Sequence, residues 1–302
     1  MKAVYTAAEL PEAAALQPAA RLGVVGNPIA HSVSPPMQQA ALDADARDMR
    51  YIRLLCEREE GAFPALIEQL RQAGYLGVNV TVPFKKQAYA LADKADALSR
   101  LCGAANTLVF AGGGISCYNT DGPGFERAVE ELSGRKLGEL RVLLLGACGG
   151  AGSALAAQCA LAGCPQLTLV NRPRPELEQL AAALRPHARG EVATLSRAAA
   201  ELPVAVQGVD LIVNATSLGL AEGDELPLPP EWLSSGQIVY DLITHDTPLR
   251  RAAAERGCLA ATGQSMLLWQ GALAYERWFH HVPDIELMRS ALTGGAASHR
   301  EP

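Results

Sequence analysis

The 302-residue sequence predicts an α/β fold in two domains, and three observations carry that expectation. Apolar runs of strand length alternate with helical periodicity, the pattern of strand–helix–strand units around a mostly parallel sheet. The length exceeds what one hydrophobic core usually organises, so two cores are expected. Midway along the chain, the apolar run Arg141-Val142-Leu143-Leu144-Leu145 leads through a glycine-rich loop into an Ala- and Leu-rich helix, and so opens a second unit.

Composition narrows the class of function. A hydrophobic content of 49% with 19% charged residues is that of a folded chain. The net charge of -6 and isoelectric point near 5.6 argue against a nucleic-acid or anionic-membrane partner, because a phosphate polymer needs a basic surface. A small-molecule partner with a local basic site is expected instead. The seven cysteines are scattered, odd in number and form no C-x-x-C pair, so neither a disulfide framework nor a zinc or other metal site is indicated. Such cysteine usage fits the reducing cytoplasm. The first residues carry Glu9 and Glu12 and no apolar signal region, and no apolar run is long enough to span a bilayer, so a cytoplasmic protein is expected. The oligomeric state is open, with a homodimer allowed.

Leu22-Gly23-Val24-Val25-Gly26 reads as a buried strand that Asn27-Pro28 breaks into a loop. That loop holds His31, Ser32 and Ser34; Ser34-Pro35 is a good cap and first-turn pair for a helix with Met37, Ala40, Ala41 and Ala44 on one face. Capping alone would explain Ser34, but not Ser32. A strand at Tyr51–Leu55 and a helix at 60–72 follow. In Gly77-Val78-Asn79-Val80-Thr81-Val82 the valines alternate with Asn79 and Thr81, a strand with two hydrogen-bonding side chains on one face, and Pro83 stops it. Lys85 then opens a helical pattern through Tyr89, Leu91 and Leu98. It therefore sits where open α/β sheets place ligands. A hairpin built on Gly112-Gly113-Gly114 brings Asn106 and Asn119-Thr120-Asp121-Gly122 toward one end of the sheet. Asp121 also reads as the cap of the helix containing Phe125, Ala128, Val129 and Leu132.

In the second unit, Gly146-Ala147-Cys148-Gly149-Gly150-Ala151-Gly152 lies between strand and helix, as in a dinucleotide phosphate site of Rossmann type. Small residues let the backbone approach the pyrophosphate. The spacing departs from G-x-G-x-x-G, since Cys148 stands at the second glycine and one extra residue precedes Gly152. The next strand, Leu167–Val170, ends in Asn171-Arg172, where an NAD site would carry an acidic residue. Arg172 and Arg174 can pair with a 2′-phosphate, which favours NADP over NAD. Strands at 209–213 and 237–242 are followed by loops at 214–219 and 243–246, expected at the same carboxyl edge. The piece 226–230 is a Pro-rich connector. A last apolar helix, Met266–Tyr275, has Gln270 among its few polar groups, and a buried amide needs a partner or a ligand. The tail from 296 to 302 is expected to fray, and the chain has no internal repeat.

Taken together, Gly26–Pro35, Asn79–Lys85, Ala105-Asn106-Thr107, Asn119-Thr120-Asp121-Gly122, Asn171-Arg172, Asn214-Ala215-Thr216-Ser217 and the Gln270 helix resemble the shikimate dehydrogenase family in order and spacing, over nearly the whole chain. The resemblance implies a substrate domain of residues 1–121 and 263–302 and a Rossmann-type NADP domain of residues 122–262. It implies reversible oxidation of shikimate to 3-dehydroshikimate. Ser32, Ser34, Asn79, Thr81, Asn106, Asp121 and Gln270 would hold the substrate, with Lys85 and Asp121 at the reacting hydroxyl. Gly146, Ala147, Gly149, Gly150, Ala151, Gly152, Asn171, Arg172, Arg174, Thr216, Leu242 and Gly263 would hold the cofactor. The chain departs from the family pattern at Gln38, usually His, and at Thr244, usually Tyr, in a shortened segment. Two alternatives stay open: a paralogous quinate/shikimate-type dehydrogenase using NAD or NADP, and a nucleotide-binding regulatory protein without turnover.

Overall fold

The computed structural model describes residues 2–173, 175–221 and 223–297. They form two compact units, Met1–Thr120 with Leu268–Pro302, and Asp121–Leu267. One seam lies a residue before the expected one, and the other falls inside a helix rather than ahead of it.

The first unit contains α1 (Leu10–Ala14), β1 (Ala20–Gly26), α2 (Ser34–Ala44), β2 (Arg50–Leu55), α3 (Ala62–Gln72), β3 (Gly77–Val80), α4 (Lys85–Ala90), β4 (Lys94–Ala95), α5 (Ala97–Cys102), β5 (Thr107–Ala111) and β6 (Gly114–Tyr118). Its strands lie in the order β2-β1-β3-β5-β6-β4. The β2-β1-β3 half is parallel, whereas β5 runs antiparallel to both β3 and β6 because a tight turn joins β5 to β6. Gly112 and Gly113 make that turn, both with positive φ.

Two departures from the sequence expectation lie beside Lys85. β3 stops at Val80, and Val82 is 55% exposed, because β1 ends at Gly26 and leaves no strand for the valine to face. Backbone bonds continue past both ends, from the Thr81 amide to the Val25 carbonyl (2.9 Å) and from the Asn27 amide to the Val82 carbonyl (3.0 Å). Gly26 is required there, since a Cβ would lie 2.4 Å from the Thr81 methyl. The helix opened by Lys85 ends at Ala90 instead of continuing to Leu98. Asp96 caps a separate helix, α5, by accepting from the Ser99 amide at 2.8 Å, and Asp93 accepts from the Ile115 amide at 2.7 Å. Two aspartates with backbone partners thus divide the segment.

The second unit holds α6 (Asp121–Ser133), β7 (Arg141–Leu145), α7 (Gly150–Ala162), β8 (Gln166–Asn171), α8 (Pro175–Leu184), β9 (Glu191–Ser196), α9 (Leu202–Gln207), β10 (Leu211–Asn214), β11 (Ile238–Asp241), α10 (Pro248–Glu255) and β12 (Leu259–Ala261). Its sheet is parallel throughout, in the order β12-β11-β10-β7-β8-β9. Successive strands run outward from β7 on one side and from β10 on the other. The order therefore reverses between β7 and β10, and the crevice outside their carboxyl ends is where such sheets take ligands. β9 lies at the edge, and its Glu191, Thr194 and Ser196 deprive it of the apolar run by which the other strands are legible.

α11 (Gln264–Phe279) and α12 (Ile285–Ala297) complete the chain. Within the first unit, the Trp278 indole N–H donates to the Leu108 carbonyl (3.0 Å) and the Tyr275 hydroxyl to Asp45 (2.6 Å). α12 continues to Ala297, through the start of the segment expected to fray; residues 298–302 lie outside the described ones. Among the described residues no helix is long and apolar enough to cross a membrane.

Candidate functional site

In the first unit, β3, β5 and α11 bring polar side chains into an apolar interior. Asn79, Asn106, Thr107, Thr120 and Gln270 are all buried. The Asn79 side-chain oxygen accepts from the Tyr51 hydroxyl (2.7 Å), and its amide group donates to Thr107 Oγ1 (3.0 Å). Asn106 donates to Thr120 Oγ1 (2.9 Å) and Gln270 Oε1 (3.3 Å), and accepts from the Thr120 amide (2.8 Å). The network thus joins three of the expected substrate residues, Asn79, Asn106 and Gln270. Tyr51, Thr107 and Thr120 belong to it as well. Their signal in the sequence was only a polar side chain on a strand or, for Thr120, just past one, which does not say who its partner is.

Around this network the expected residues take distinct positions. Lys85 is half-buried as the first residue of α4; its carbonyl accepts from the Ala105 amide (2.9 Å), and the buried Phe84 before it stacks on Phe63 at 5.0 Å. Ser34 is the first residue of α2, not its cap: Val33 holds the cap position and makes no side-chain cap bond, so the Ser34 hydroxyl is not spent there. The Ser34 amide approaches Ser32 Oγ (3.4 Å), and Arg53 Nε donates to the Ser32 carbonyl (2.9 Å) to hold the loop. Burial holds the Arg53 guanidinium below its usual pKa. Asp121 is the first residue of α6 and follows Thr120 directly. Gln38 is buried and donates to the Gly271 carbonyl (2.9 Å), a helix-to-helix tie in place of an exposed polar role. Thr244 is exposed.

In the second unit, a cavity of about 500 Å³ lies at the carboxyl ends of β7, β8 and β10. Of the residues expected there, Gly146, Gly149, Asn171, Arg172 and Thr216 line it; Ala147, Gly150, Ala151, Gly152, Leu242 and Gly263 do not, and Arg174 is outside the described residues. Gly152 acts one step removed, because a Cβ there would lie 2.3 Å from the Gly146 carbonyl oxygen and force the loop off the helix. Gly263 serves similarly beside β11, where a Cβ would lie 2.1 Å from the Leu242 carbonyl. Ser217, in the loop 214–219 expected at this edge, lines it too, whereas the sequence reading missed Arg197 and Glu225. Arg197 follows a strand end, a positional signal that β9 obscured.

A buried network shapes the cavity wall after β10. Asn214 donates to Asp241 Oδ1 (3.0 Å) and the Leu218 carbonyl (3.3 Å), and accepts from the Thr216 amide (3.1 Å) and hydroxyl (2.6 Å). Asp241 also accepts from Thr247 Oγ1 (2.8 Å) and the Ile243 amide (3.2 Å). Desolvation raises the Asp241 pKa, and these donors pull it back only in part. Because the folded value lies above the unfolded one, the linked stability is fully present below the unfolded pKa and is lost as pH rises through the folded one. Asn214→Ala removes one donor from the carboxylate and strands the Thr216 amide. It should destabilise the protein by about 2–3 kcal/mol at neutral pH, and by less near pH 5, closer to where carboxyls titrate. Thermal melts of both proteins at the two pH values test this; a difference that does not shrink on acidification would remove Asp241 from the explanation.

The arrangement suits an adenosine dinucleotide bearing a 2′-phosphate. Gly146, Gly149 and the start of α7 offer the small-residue approach that a pyrophosphate needs, and Arg172 stands at the end of β8 where a carboxylate would favour a free ribose hydroxyl. No cluster of His, Cys, Asp and Glu able to hold a metal occurs among the described residues.

Comparison with known proteins identifies the family. Residues 24–108 match the shikimate dehydrogenase substrate binding domain, and residues 263–293 the shikimate 5′-dehydrogenase C-terminal domain. The NADP(+) shikimate dehydrogenase of Moorella thermoacetica is 36% identical over 92% of this chain and 97% of its own length; that of Rubrobacter xylanophilus is 38% identical over 90% and 95%. The chain belongs to the shikimate dehydrogenase family. Solved family members share its fold. The Listeria monocytogenes shikimate 5-dehydrogenase, in complex with shikimate and NAD, superposes with a TM-score of 0.82 at 28% identity, covering 90% of this chain and 96% of that one. The Thermus thermophilus enzyme, with NADP(H) and shikimate, gives 0.79 at 31% identity, covering 91% and 99%. Corynebacterium glutamicum quinate dehydrogenase, with NAD, gives 0.81 at 27% identity, covering 90% and 98%.

Proposed function

We propose that this protein is an NADP-dependent shikimate dehydrogenase that interconverts shikimate and 3-dehydroshikimate. The observation that carries the choice of cofactor is Arg172 on the cavity wall beside the glycine cradle. A guanidinium there recognises a phosphate and has nothing comparable to offer a ribose hydroxyl. Arg172 itself is exposed, while Asn171 fixes its backbone: the Asn171 side-chain oxygen accepts from the Arg172 amide at 2.9 Å.

When bound, the nicotinamide supplies the hydride chemistry. The chain's own residues bind the substrate and handle the proton. Lys85 and Asp121 are the catalytic pair at the reacting hydroxyl, the ammonium stabilising a developing alkoxide and the carboxylate sharing in proton relay. Ser32, Ser34, Thr81, Asn106 and Gln270 hold the substrate's hydroxyls and carboxylate. Asn79, whose oxygen and amide group are both engaged inside the unit, acts chiefly by holding the strand end that carries Thr81. A polyhydroxylated ring matched by many polar groups is discriminated strongly, because an ill-fitting analogue leaves buried groups unpaired. The enzyme works in the cytoplasm, where its cysteines stay free, and needs neither a nucleic acid nor a membrane.

Reduced-nicotinamide absorbance, followed with shikimate or quinate and NADP or NAD, tests the activity. Rapid reduction with shikimate and NADP alone is expected; quinate or NAD turnover of similar rate would assign a quinate/shikimate-type paralogue. Silence in all four with tight nucleotide binding would leave the regulatory reading. Arg172→Ala should raise the KM for NADP by about 10- to 100-fold, the loss of one charge-assisted phosphate contact, with little change for NAD. Equal effects on both cofactors would remove Arg172 from phosphate recognition.

A further inference from the structure

The mechanism above uses one guanidinium at the end of β8, yet the cavity wall contains a second. β8 and β9 are parallel and in register from Gln166 and Glu191 to Asn171 and Ser196, so Arg172 and Arg197 are the first residues beyond the paired ends of adjacent strands. Neighbouring strands lie about 4.8 Å apart, so the two backbones are one strand spacing from each other. The Arg197 amide donates to the Asn171 carbonyl at 2.9 Å, which locks the second loop to the first. Both residues line the same cavity.

Arg197 does not stand alone there. Its Nη2 contacts Glu225 Oε1 at 3.2 Å and the Leu226 carbonyl at 3.4 Å, and Glu225 lines the cavity too. The Glu225 side chain is 72% exposed, and an ion pair so open to water contributes only about 0–1 kcal/mol. A phosphate monoester carries nearly two charges and three acceptor oxygens, and can engage a guanidinium through two nitrogens. It can therefore displace the carboxylate, whereas a ribose hydroxyl cannot.

Resting on the reading that this cavity takes a nicotinamide dinucleotide, we propose that Arg197 is a second guanidinium for the 2′-phosphate of NADP and that Glu225 holds it in the phosphate's absence. The Arg197–Glu225 pair then sets the preference for the phosphorylated cofactor. The carboxylate acts as an internal competitor, lowering NADP affinity without touching the rest of the dinucleotide.

Equilibrium binding of NADPH, NADH and 2′,5′-ADP to the unmodified protein and to Arg197→Ala and Glu225→Gln tests the assignment without turnover. Arg197→Ala should weaken NADPH and 2′,5′-ADP by about 10- to 100-fold and leave NADH within about twofold. Glu225→Gln should tighten both phosphorylated ligands a few-fold, again without effect on NADH. Arg197→Lys, which keeps the charge, serves if alanine at this position unfolds the protein, and should show the same phosphate-selective loss at smaller size. Equal losses for NADPH and NADH, or no loss for either, would overturn the proposal. If instead the unmodified protein binds NADPH no more tightly than NADH, the NADP reading itself fails, and the role of Arg197 fails with it.

Discussion

Lys85→Ala should lower kcat by about 10²- to 10⁴-fold, the usual contribution of a positioned acid–base group, while the Kd for NADPH stays unchanged. The local backbone suits the substitution. Lys85 is half-buried at the first position of α4, alanine is a strong helix former, and the bond that fixes the position, from the Ala105 amide to the Lys85 carbonyl, belongs to the backbone. Phe84, stacked on Phe63, holds the turn independently of the lysine. A fall in turnover with NADPH binding intact therefore reports chemistry, not collapse. Steady-state kinetics with shikimate and NADP, set beside nucleotide binding by fluorescence, separates the two. Near-normal turnover would refute the catalytic role, and parallel loss of NADPH binding would mean that the lysine supports the fold.

The position of Lys85 was legible in the sequence because three local signals agreed: alternation in Val78–Val80, a proline stop, and helical periodicity after it. What followed was not, since the split between α4 and α5 depends on Asp93 and Asp96 finding backbone partners, and the Asp93 partner, the Ile115 amide, is distant in sequence. The capping role read for Ser34 failed for a related reason. A favoured cap residue next to a helix start signals a boundary, but the residue can sit just inside it, as Ser34 does. The glycine loop shows the same limit. Counting glycines located the cradle, yet only the structure separates Gly146, held by its φ and by the strand beside it, from Gly150, which meets nothing within 4 Å. Arg197 stayed hidden because β9 is an edge strand of mixed polarity, and without the strand its register with Asn171 has no meaning.

That contrast between glycines gives the sharpest test of the cradle. Gly146→Ala should be severely destabilising, whereas Gly150→Ala, one turn away in the same loop and helix start, should not. Gly146 has φ of +80°, a conformation that costs an L residue about 1–2 kcal/mol. An added Cβ would also lie 2.7 Å from the Ala215 carbonyl oxygen and 2.9 Å from the Thr216 nitrogen. These neighbours are backbone, and they cannot easily yield, because Asn214 holds Thr216 by two hydrogen bonds and is itself tied to the buried Asp241. Overpacking of this kind costs about a further 1–3 kcal/mol, so the melt should fall by several degrees and NADPH binding should weaken with it. Gly150 begins α7 without positive φ and with open space around its Cβ position, so alanine there should be neutral or gain up to about 1 kcal/mol of helix propensity. Thermal melts of the two variants decide the matter. Equal stability would mean that the strand ends can part to admit a methyl group, and that the cradle is not the rigid pyrophosphate site that dinucleotide binding needs.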